Sequence, residues 1–198
     1  MGIARFGSKR KAVWEALSKD IDAKFIPNRG FRGGHKIVAK HDNWTILIDT
    51  YKRGKRPLVT QIRAPYVNRD GFEFRIYRRN PLSNISKALG MQDIEVGFKQ
   101  FDDDFIIQGN DEKKLRALFD NDWIRRFIAW QPRIMLWNHV EEQDYSKPFG
   151  EGVSELRFET EGIIAHKQQL KDLYELFAEL LDHLCHIGSA YEDDPLRK

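Results

Sequence analysis

The spacing of hydrophobic residues near the N-terminus predicts a helix that runs from about residue 8 to residue 24. The side chains of its buried face recur every four positions and are Val13, Leu17, Ile21 and Phe25. Ser8 is a suitable N-cap, because its hydroxyl can accept a hydrogen bond from a free N–H of the first turn. Residues 28–34 include three glycines, so the sequence predicts that a loop follows this helix.

From residue 35 to residue 79 hydrophobic and polar positions alternate, which is typical of strands with one buried face. Turn sequences at residues 52–57 and 68–71 divide this region into an antiparallel meander. The residues of its last strand that are predicted to face the core are Phe72, Phe74 and Ile76. The opposite face of that strand would carry Arg75, Tyr77 and Arg79.

Shorter elements are predicted in the middle of the chain. Pro81 would start a short helix. Residues 94–98 alternate as a strand, and the acidic sequence at residues 101–105 is interpreted as a tight turn into the next strand. Asn110 is predicted to cap a central helix whose core stripe extends to Phe127.

The C-terminal third predicts strands at residues 133–140 and 155–161 and then a helix from about Lys167 to Ile187. The fold class is therefore α+β, with a mainly antiparallel sheet, an N-terminal helix, a central helix and a long C-terminal helix. Residues 1–190 would form a single domain. Residues 191–198 would form an acidic, frayed tail.

The charge of the chain is divided by position. Residues 1–80 contain 19 Lys and Arg against 7 Asp and Glu, a net charge of +12, whereas residues 81–198 contain 14 against 23, a net charge of −9. An anionic partner, pairing between the two segments, or head-to-tail association of two subunits would each account for this division. The predicted partners are therefore a nucleic acid or other polyanion, or else a protein partner or homo-oligomer.

Basic and aromatic residues of the first eighty positions form the predicted anion-binding site. The candidate cations are Arg29, Arg32, Lys52, Arg53, Lys55, Arg56, Arg63, Arg75 and Arg79. The candidate aromatic partners are Phe31, Tyr51 and Tyr77. Positive side chains bind phosphates, and aromatic rings stack on the bases of single strands. The same residues would also suit a solvated sheet face whose charges prevent edge-to-edge aggregation.

The sequence contains little evidence for a metal-binding or cofactor-binding site. Asp182, His183, Cys185 and His186 are all possible zinc ligands, but only residues three or four apart share one helical face, so Cys185 would point elsewhere. No phosphate-binding loop, dinucleotide-binding glycine motif or nucleophile elbow is present. The sequence predicts no metal and no cofactor.

The block of residues 101–111, FDDDFIIQGND, is followed by Leu115 and by Leu118 and Phe119. In these residues the chain resembles uncharacterised bacterial domains. The resemblance covers Phe101 to Phe119 and implies an α+β arrangement and a bacterial origin. It carries over no functional residue, because those domains have no settled activity.

The single cysteine excludes a disulfide within the chain and favours a reducing compartment, so the predicted location is the cytoplasm. No apolar run reaches the length of about 18 residues that a membrane span requires. The sequence favours a non-catalytic binding module that presents a basic, aromatic face to an anionic partner.

Two alternatives remain open. One is an enzyme, in particular a metal-dependent hydrolase, whose site assembles from scattered residues such as His139, Glu141, Glu159 and His166. The other is a domain that binds an apolar ligand, because the chain contains 13 Phe and 5 Trp.

Overall fold

The computed structural model describes residues 3–28, 34–52, 57–79, 92–138 and 152–191, together with Pro195. Five helices are found there: α1 (Ile3–Asp20), α2 (Lys99–Asp104), α3 (Glu112–Asp120), α4 (Asp122–Trp130) and α5 (Lys167–His186). The nine strands are β1 (Lys24–Ile26), β2 (Lys36–His41), β3 (Trp44–Lys52), β4 (Leu58–Val67), β5 (Phe74–Arg78), β6 (Gln92–Asp93), β7 (Phe105–Gly109), β8 (Met135–Trp137) and β9 (Val153–Glu161).

All nine strands belong to one sheet, in the order β1-β2-β3-β4-β9-β8-β5-β7-β6, and neighbouring strands are antiparallel. The β4–β9 ladder pairs nine positions, from Val59 with Glu161 to Val67 with Val153. This ladder joins the N-terminal meander to the C-terminal part of the chain. The predicted α+β fold is confirmed, including its antiparallel sheet and its long C-terminal helix.

The five helices share one hydrophobic cluster with one face of the sheet, to which they contribute residues such as Trp14, Phe101, Leu115, Ile124 and Leu173. The face of the sheet that points away from this cluster is called the second face. It carries Leu47, Asp49, Tyr51, Gln61, Arg63, Arg75, Tyr77, Trp137, Glu155, Arg157 and Glu159. None of these residues belongs to the cluster. The fold thus separates an apolar, helix-covered face from a face that carries most of the sheet's charge.

The N-terminal helix begins and ends earlier than predicted. It starts at Ile3, so Ser8 lies inside it and is not its N-cap. Asp22 has a φ of 48°, and the N–H of Ala23 bonds to the carbonyl of Ser18 at 2.7 Å. This left-handed turn ends the helix and sends the chain into β1, where Phe25 lies.

The predicted central helix is in fact two helices, α3 and α4. Asn121 separates them, because its backbone is extended and its side-chain oxygen accepts hydrogen bonds from the N–H groups of Trp123 and Ile124. Asparagine at an N-cap satisfies two donors that would otherwise lack a partner. Asp111 caps α3 in place of the predicted Asn110, by accepting from the N–H of Lys114.

The acidic sequence before β7 forms the short helix α2 instead of a turn. Asp102 accepts hydrogen bonds from the N–H groups of Val96 and Gly97 at 2.9 and 3.0 Å, and these bonds hold residues 94–98 out of a strand. In this region the only strand among the described residues is β6. The helix predicted at Pro81 lies outside the described residues.

The C-terminal end of the described chain returns to the sheet. The N–H of Tyr191 bonds to the carbonyl of Val67 at 3.2 Å, so the first residue of the predicted tail pairs with β4. Most of the remaining tail lies outside the described residues. None of the described helices is both long enough and apolar enough to cross a membrane.

Candidate ligand-binding site

Cross-strand pairing places arginines and a tryptophan in one row on the second face. Arg63 on β4 pairs with Arg157 on β9, Arg157 pairs with Trp137 on β8, and Trp137 pairs with Arg75 on β5. Tyr77 lies two residues further along β5 on the same face. The structure therefore brings Arg63, Arg75 and Tyr77 onto one face, as the alternation predicted. Sequence reasoning missed Trp137 and Arg157, because strand order was unknown.

Carboxylates neutralise two arginines of this row. An Nη atom of Arg63 lies 2.9 Å from Oδ2 of Asp49, and its other Nη atom lies 3.6 Å from Oε1 of Glu155. Arg157 donates through Nε to Oε2 of Glu155, which is only 6% exposed. These carboxylates supply the negative charge that an external anion would bring. The second face is therefore largely charge-balanced within the described residues.

Two predicted aromatic residues of the anion site, Tyr51 and Tyr77, are respectively hydrogen-bonded and buried. The hydroxyl of Tyr51 donates to Oε1 of Glu159 at 2.8 Å. Tyr77 is 5% exposed, and burial, together with the charge of Asp93, raises its pKa. The phenol of Tyr77 thus stays neutral over the ordinary pH range.

Two further candidate cations of the predicted anion site, Arg79 and Lys52, have different surroundings. Arg79 donates to the carbonyls of Asp102 and Phe105 at 3.2 and 3.4 Å. Lys52 ends β3 and is exposed. The predicted residues that lie outside the described part of the chain are Arg29, Phe31, Arg32, Arg53, Lys55 and Arg56.

A groove of about 470 Å³ lies between α2 and α4 and is called the α2–α4 groove. Its half-buried or buried aromatic floor consists of Phe98, Phe101 and Phe105. Its exposed rim consists of Lys99, Gln100, Asp104, Asp122, Arg126 and Trp130. This combination of aromatic floor and polar rim is typical of small-ligand sites.

Three aromatic rings follow one side of α4 and end at this groove. The rings of Trp123 and Phe127 stack with centroids 3.6 Å apart, and those of Phe127 and Trp130 lie 5.2 Å apart. Trp130 is 60% exposed. Single exposed apolar side chains are common on proteins, but this indole adjoins a groove with an aromatic floor. Its spacing from Trp123 and Phe127 is the sequence signal that places it on the same side of the helix as those rings.

Two consecutive arginines of α4 have different surroundings. The guanidinium of Arg125 lies 3.4 Å from the ring centroid of Phe98 and donates to the carbonyls of Phe119 and Asp120. The side chain of Arg126 is 65% exposed, lies 3.8 Å from Asp122, and has its Cζ 5.9 Å from the ring centroid of Trp130. Arg125 therefore shapes the groove, whereas Arg126 is accessible to a ligand.

A second cleft, of about 580 Å³, lies between α3 and the C-terminal end of α5. Two of its polar side chains, Lys114 and His183, already bind groups of the surrounding fold. Lys114 donates to Asp70 and, at 2.9 Å, to Ser189, and Nε2 of His183 lies 3.0 Å from the carbonyl of Ala117. Since these groups already have partners, the cleft is a weaker candidate than the α2–α4 groove.

Asp70 shows the effect of these contacts on protonation. Burial acts to raise the pKa of Asp70, but hydrogen bonds from Lys114, the N–H of Phe72 and Ser189 outweigh it and lower the pKa below its usual value.

One group of possible metal ligands occurs among the described residues, namely His41, Asp42 and Asp182. Nε2 of His41 lies 3.0 Å from both carboxylate oxygens of Asp182. The hydrogen bond between His41 and Asp182 accounts for their approach, and both aspartates are exposed, so we assign no metal to the group. Of the zinc-like set considered in the sequence, Asp182 faces His41, while the rings of His183 and His186 stack 5.5 Å apart.

No family model and no curated protein matches the chain. Its fold is similar to the crystal structure of the mycobacterial trehalose monomycolate transport factor A, TtfA, with a TM-score of 0.53. The match covers 97% of this chain and 98% of that chain, at 10% sequence identity. At this identity the likeness shows a common fold, and no residue of a site is carried over.

Proposed function

We propose that this chain is a non-catalytic binding protein and that the α2–α4 groove holds its ligand. The observation that carries the proposal is the indole of Trp130, which is 60% exposed at the rim of a groove with three phenylalanines in its floor. A ring placed on this indole would leave water and gain a stacking contact. The charged rim would orient the ligand.

The residues of the groove favour binding over catalysis. Among its described lining residues there is no His, Cys or Ser, and its two carboxylates, Asp104 and Asp122, already lie beside Arg78 and Arg125. Of the residues considered for an enzyme, Glu159 accepts a hydrogen bond from Tyr51 on the second face, and His166 precedes α5. His139 and Glu141 lie outside the described residues. The description of TtfA as a transport factor agrees with a binding or transport-associated role.

Binding of a fluorescent ring compound tests the site. The probe is anilinonaphthalene sulfonate, whose emission rises when its rings leave water. We expect Trp130→Ala to weaken its binding at least about fivefold, because loss of an aromatic stack costs roughly 1–3 kcal/mol. Ile26→Ala is the control, since Ile26 is 39% exposed and lies on β1, outside the groove. Equal affinities of the wild type and Trp130→Ala would contradict the proposal.

An anionic macromolecular partner is a second candidate. It is supported by the exposed Lys52 at the end of β3. Arg63 supports it less, because Asp49 and Glu155 already neutralise it. A nucleic acid would therefore bind around Lys52, at the end of β3, and not across the centre of the second face.

A further inference from the structure

We infer that the α2–α4 groove takes a carbohydrate, with one sugar ring stacked on Trp130 and its hydroxyls bound by the polar rim. The inference rests on the proposed function and names the chemical class of its ligand. Its basis is the match between the groups around the indole and those that a sugar presents.

The first element of this match is the indole face. The C–H groups on one side of a pyranose ring carry slight positive charge, and the face of an aromatic ring is negative, so the two attract each other. Phe127 packs against Trp130 with ring centroids 5.2 Å apart at an angle of 44°, which restricts the orientation of the indole. The exposed part of the ring is therefore a flat surface beside the groove that Phe127 supports from one side.

The second element is the presence of both acceptors and donors at the rim. A sugar hydroxyl donates one hydrogen bond and accepts up to two, so a sugar site needs groups of both kinds. Asp104 and Asp122 offer accessible acceptors, with side chains 49% and 69% exposed. Lys99 and Arg126 offer donors, and Gln100 offers both.

Neighbouring arginines position the two carboxylates. Asp122 accepts from Arg125 at 3.2 Å, and the guanidinium of Arg125 is itself stacked on Phe98. Asp104 lies 3.9 Å from Arg78, which donates to the carbonyl of Ala129 at 2.8 Å. Because the arginines already hold these carboxylates in place, a ligand would lose less free energy by ordering the side chains of the rim.

The charge of the rim argues against other ligand classes. Lys99 pairs with Asp103 at 3.0 Å and Arg126 with Asp122 at 3.8 Å, Asp104 lies beside Arg78, and Arg125 is engaged with the backbone. An anion would meet two carboxylates, and a cation would meet two basic side chains. A wholly apolar ligand would leave the hydrogen-bonding groups of the rim unused. A neutral, polyhydroxylated ring can donate to its carboxylates and accept from its cations.

The indole N–H signal of Trp130 in proton–nitrogen NMR spectra gives a direct test. Trp130→Phe identifies this signal among those of the five tryptophans. The probes are maltose and cellobiose as neutral sugars and anilinonaphthalene sulfonate as an anionic ring compound. We expect each disaccharide to shift the Trp130 signal with a Kd on the order of a millimolar, as is usual for a ligand of this size.

Asp104→Asn distinguishes a sugar from an anion. The substitution keeps the shape of the side chain but removes a charged acceptor, so we expect about five- to tenfold weaker binding of maltose. The same substitution removes a repulsive charge, so binding of the anionic probe should stay equal or become tighter. Ile26→Ala should change neither.

The outcomes separate this inference from the proposed function. If the anionic probe binds in a Trp130-dependent manner but neither disaccharide shifts the Trp130 signal at about 20 mM, the carbohydrate inference is overturned and the binding site stands. If no probe depends on Trp130, both are overturned. If Asp104→Asn leaves sugar binding unchanged, the inference that the polar rim binds the sugar hydroxyls is overturned.

Discussion

The second face and the α2–α4 groove are built from the same kinds of residue, yet their chemistry differs. On the second face, Arg63 and Arg157 both bind Glu155, which is 6% exposed. In the groove, Arg126 is 65% exposed and Trp130 is 60% exposed. Arginine and aromatic side chains thus have a structural role where carboxylates pair with them in a half-buried setting. They are available to a ligand where they remain in water.

This contrast shows that composition alone does not distinguish an arginine in an internal ion pair from one that is available to an anion. A buried charge must be paired, so an arginine in the centre of a sheet is stable only where neighbouring strands carry carboxylates that pair with it. The partner is then an internal group and not an external one. Substitutions in the two regions should accordingly affect different quantities, stability on the second face and ligand binding in the groove.

The largest expected effect on stability is that of Glu155→Gln. Loss of this carboxylate leaves Arg63 and Arg157 without their shared counter-charge, and we expect the free energy of unfolding to fall by about 3 kcal/mol. Urea unfolding measures the change. Glu161→Gln is the matched control, because Glu161 is an exposed residue of the same strand, and it should stay within about 0.5 kcal/mol of wild type. Equal effects of both substitutions would mean that the pairing on the second face is not structural.

Asp49→Asn should have a smaller effect on the same face. Asp49 accepts hydrogen bonds from both Gln61 and Arg63, and we expect a loss of roughly 1–2 kcal/mol. A double-mutant cycle with Arg63→Gln isolates the pair, and its coupling energy should be at least about 0.5 kcal/mol. Additive effects of the two substitutions would show that the ion pair contributes nothing measurable.

Asp70→Asn tests a charge cluster that is distinct from both regions. The folded-state pKa of Asp70 is lowered, so its contribution to stability is present above the unfolded value, about 4, and is lost as the pH falls through the folded value. We expect the substitution to cost about 1 kcal/mol at pH 7, because the Lys114 and Asp70 side chains are each 26% exposed and screened by solvent.

The difference in stability between wild type and Asp70→Asn should narrow as the pH falls below about 4. Thermal unfolding across the pH range measures it. A difference that is constant with pH would contradict the role given to Lys114.

Trp130→Ala should change the free energy of unfolding by no more than about 0.5 kcal/mol, because most of the indole is already in water. Its effect on ligand binding is expected to be large, which is the reverse of the pattern for Glu155→Gln. If the free energy of unfolding instead falls by more than about 2 kcal/mol, the indole contributes to packing, and the contrast between the two regions is contradicted.

The smallest expected effect is that of Arg63→Gln on the binding of a single-stranded oligonucleotide at low salt. We expect no change from this substitution, since Arg63 is already neutralised, whereas Lys52→Glu should weaken any binding and reduce its salt dependence. Fluorescence anisotropy measures both. A large loss with Arg63→Gln would return the second face to the list of candidate anion sites.

The alternation of the sequence correctly predicted which residues share a face of the sheet. Arg75 and Tyr77 lie on the face opposite Phe74 and Ile76, because side chains alternate along any strand whatever its neighbours are. Element boundaries were less predictable. The central helix divides at Asn121, whose side chain bonds to the N–H groups of the next turn, and the acidic turn became a helix because Asp102 bonds to Val96 and Gly97.

The candidate site could be predicted only in part. The spacing of Trp123, Phe127 and Trp130 predicts that the three rings lie along one side of a helix. It does not reveal which ring is left uncovered, because that depends on where α2 and the strands lie. The predicted basic residues were identified by type, whereas their carboxylate partners come from distant strands.

The sequence by itself determined the local periods, and hence most of the strands, the long C-terminal helix and the face on which the side chains of those strands lie. Only the tertiary structure decided which strands are neighbours. Placing β9 beside β4 brings Glu155 to Arg63, 92 positions away in the chain, and so gives this one residue of the predicted anion site an internal counter-charge. Local propensity acts over a few residues, whereas strand order is set by burial of the whole apolar face, which no short segment encodes.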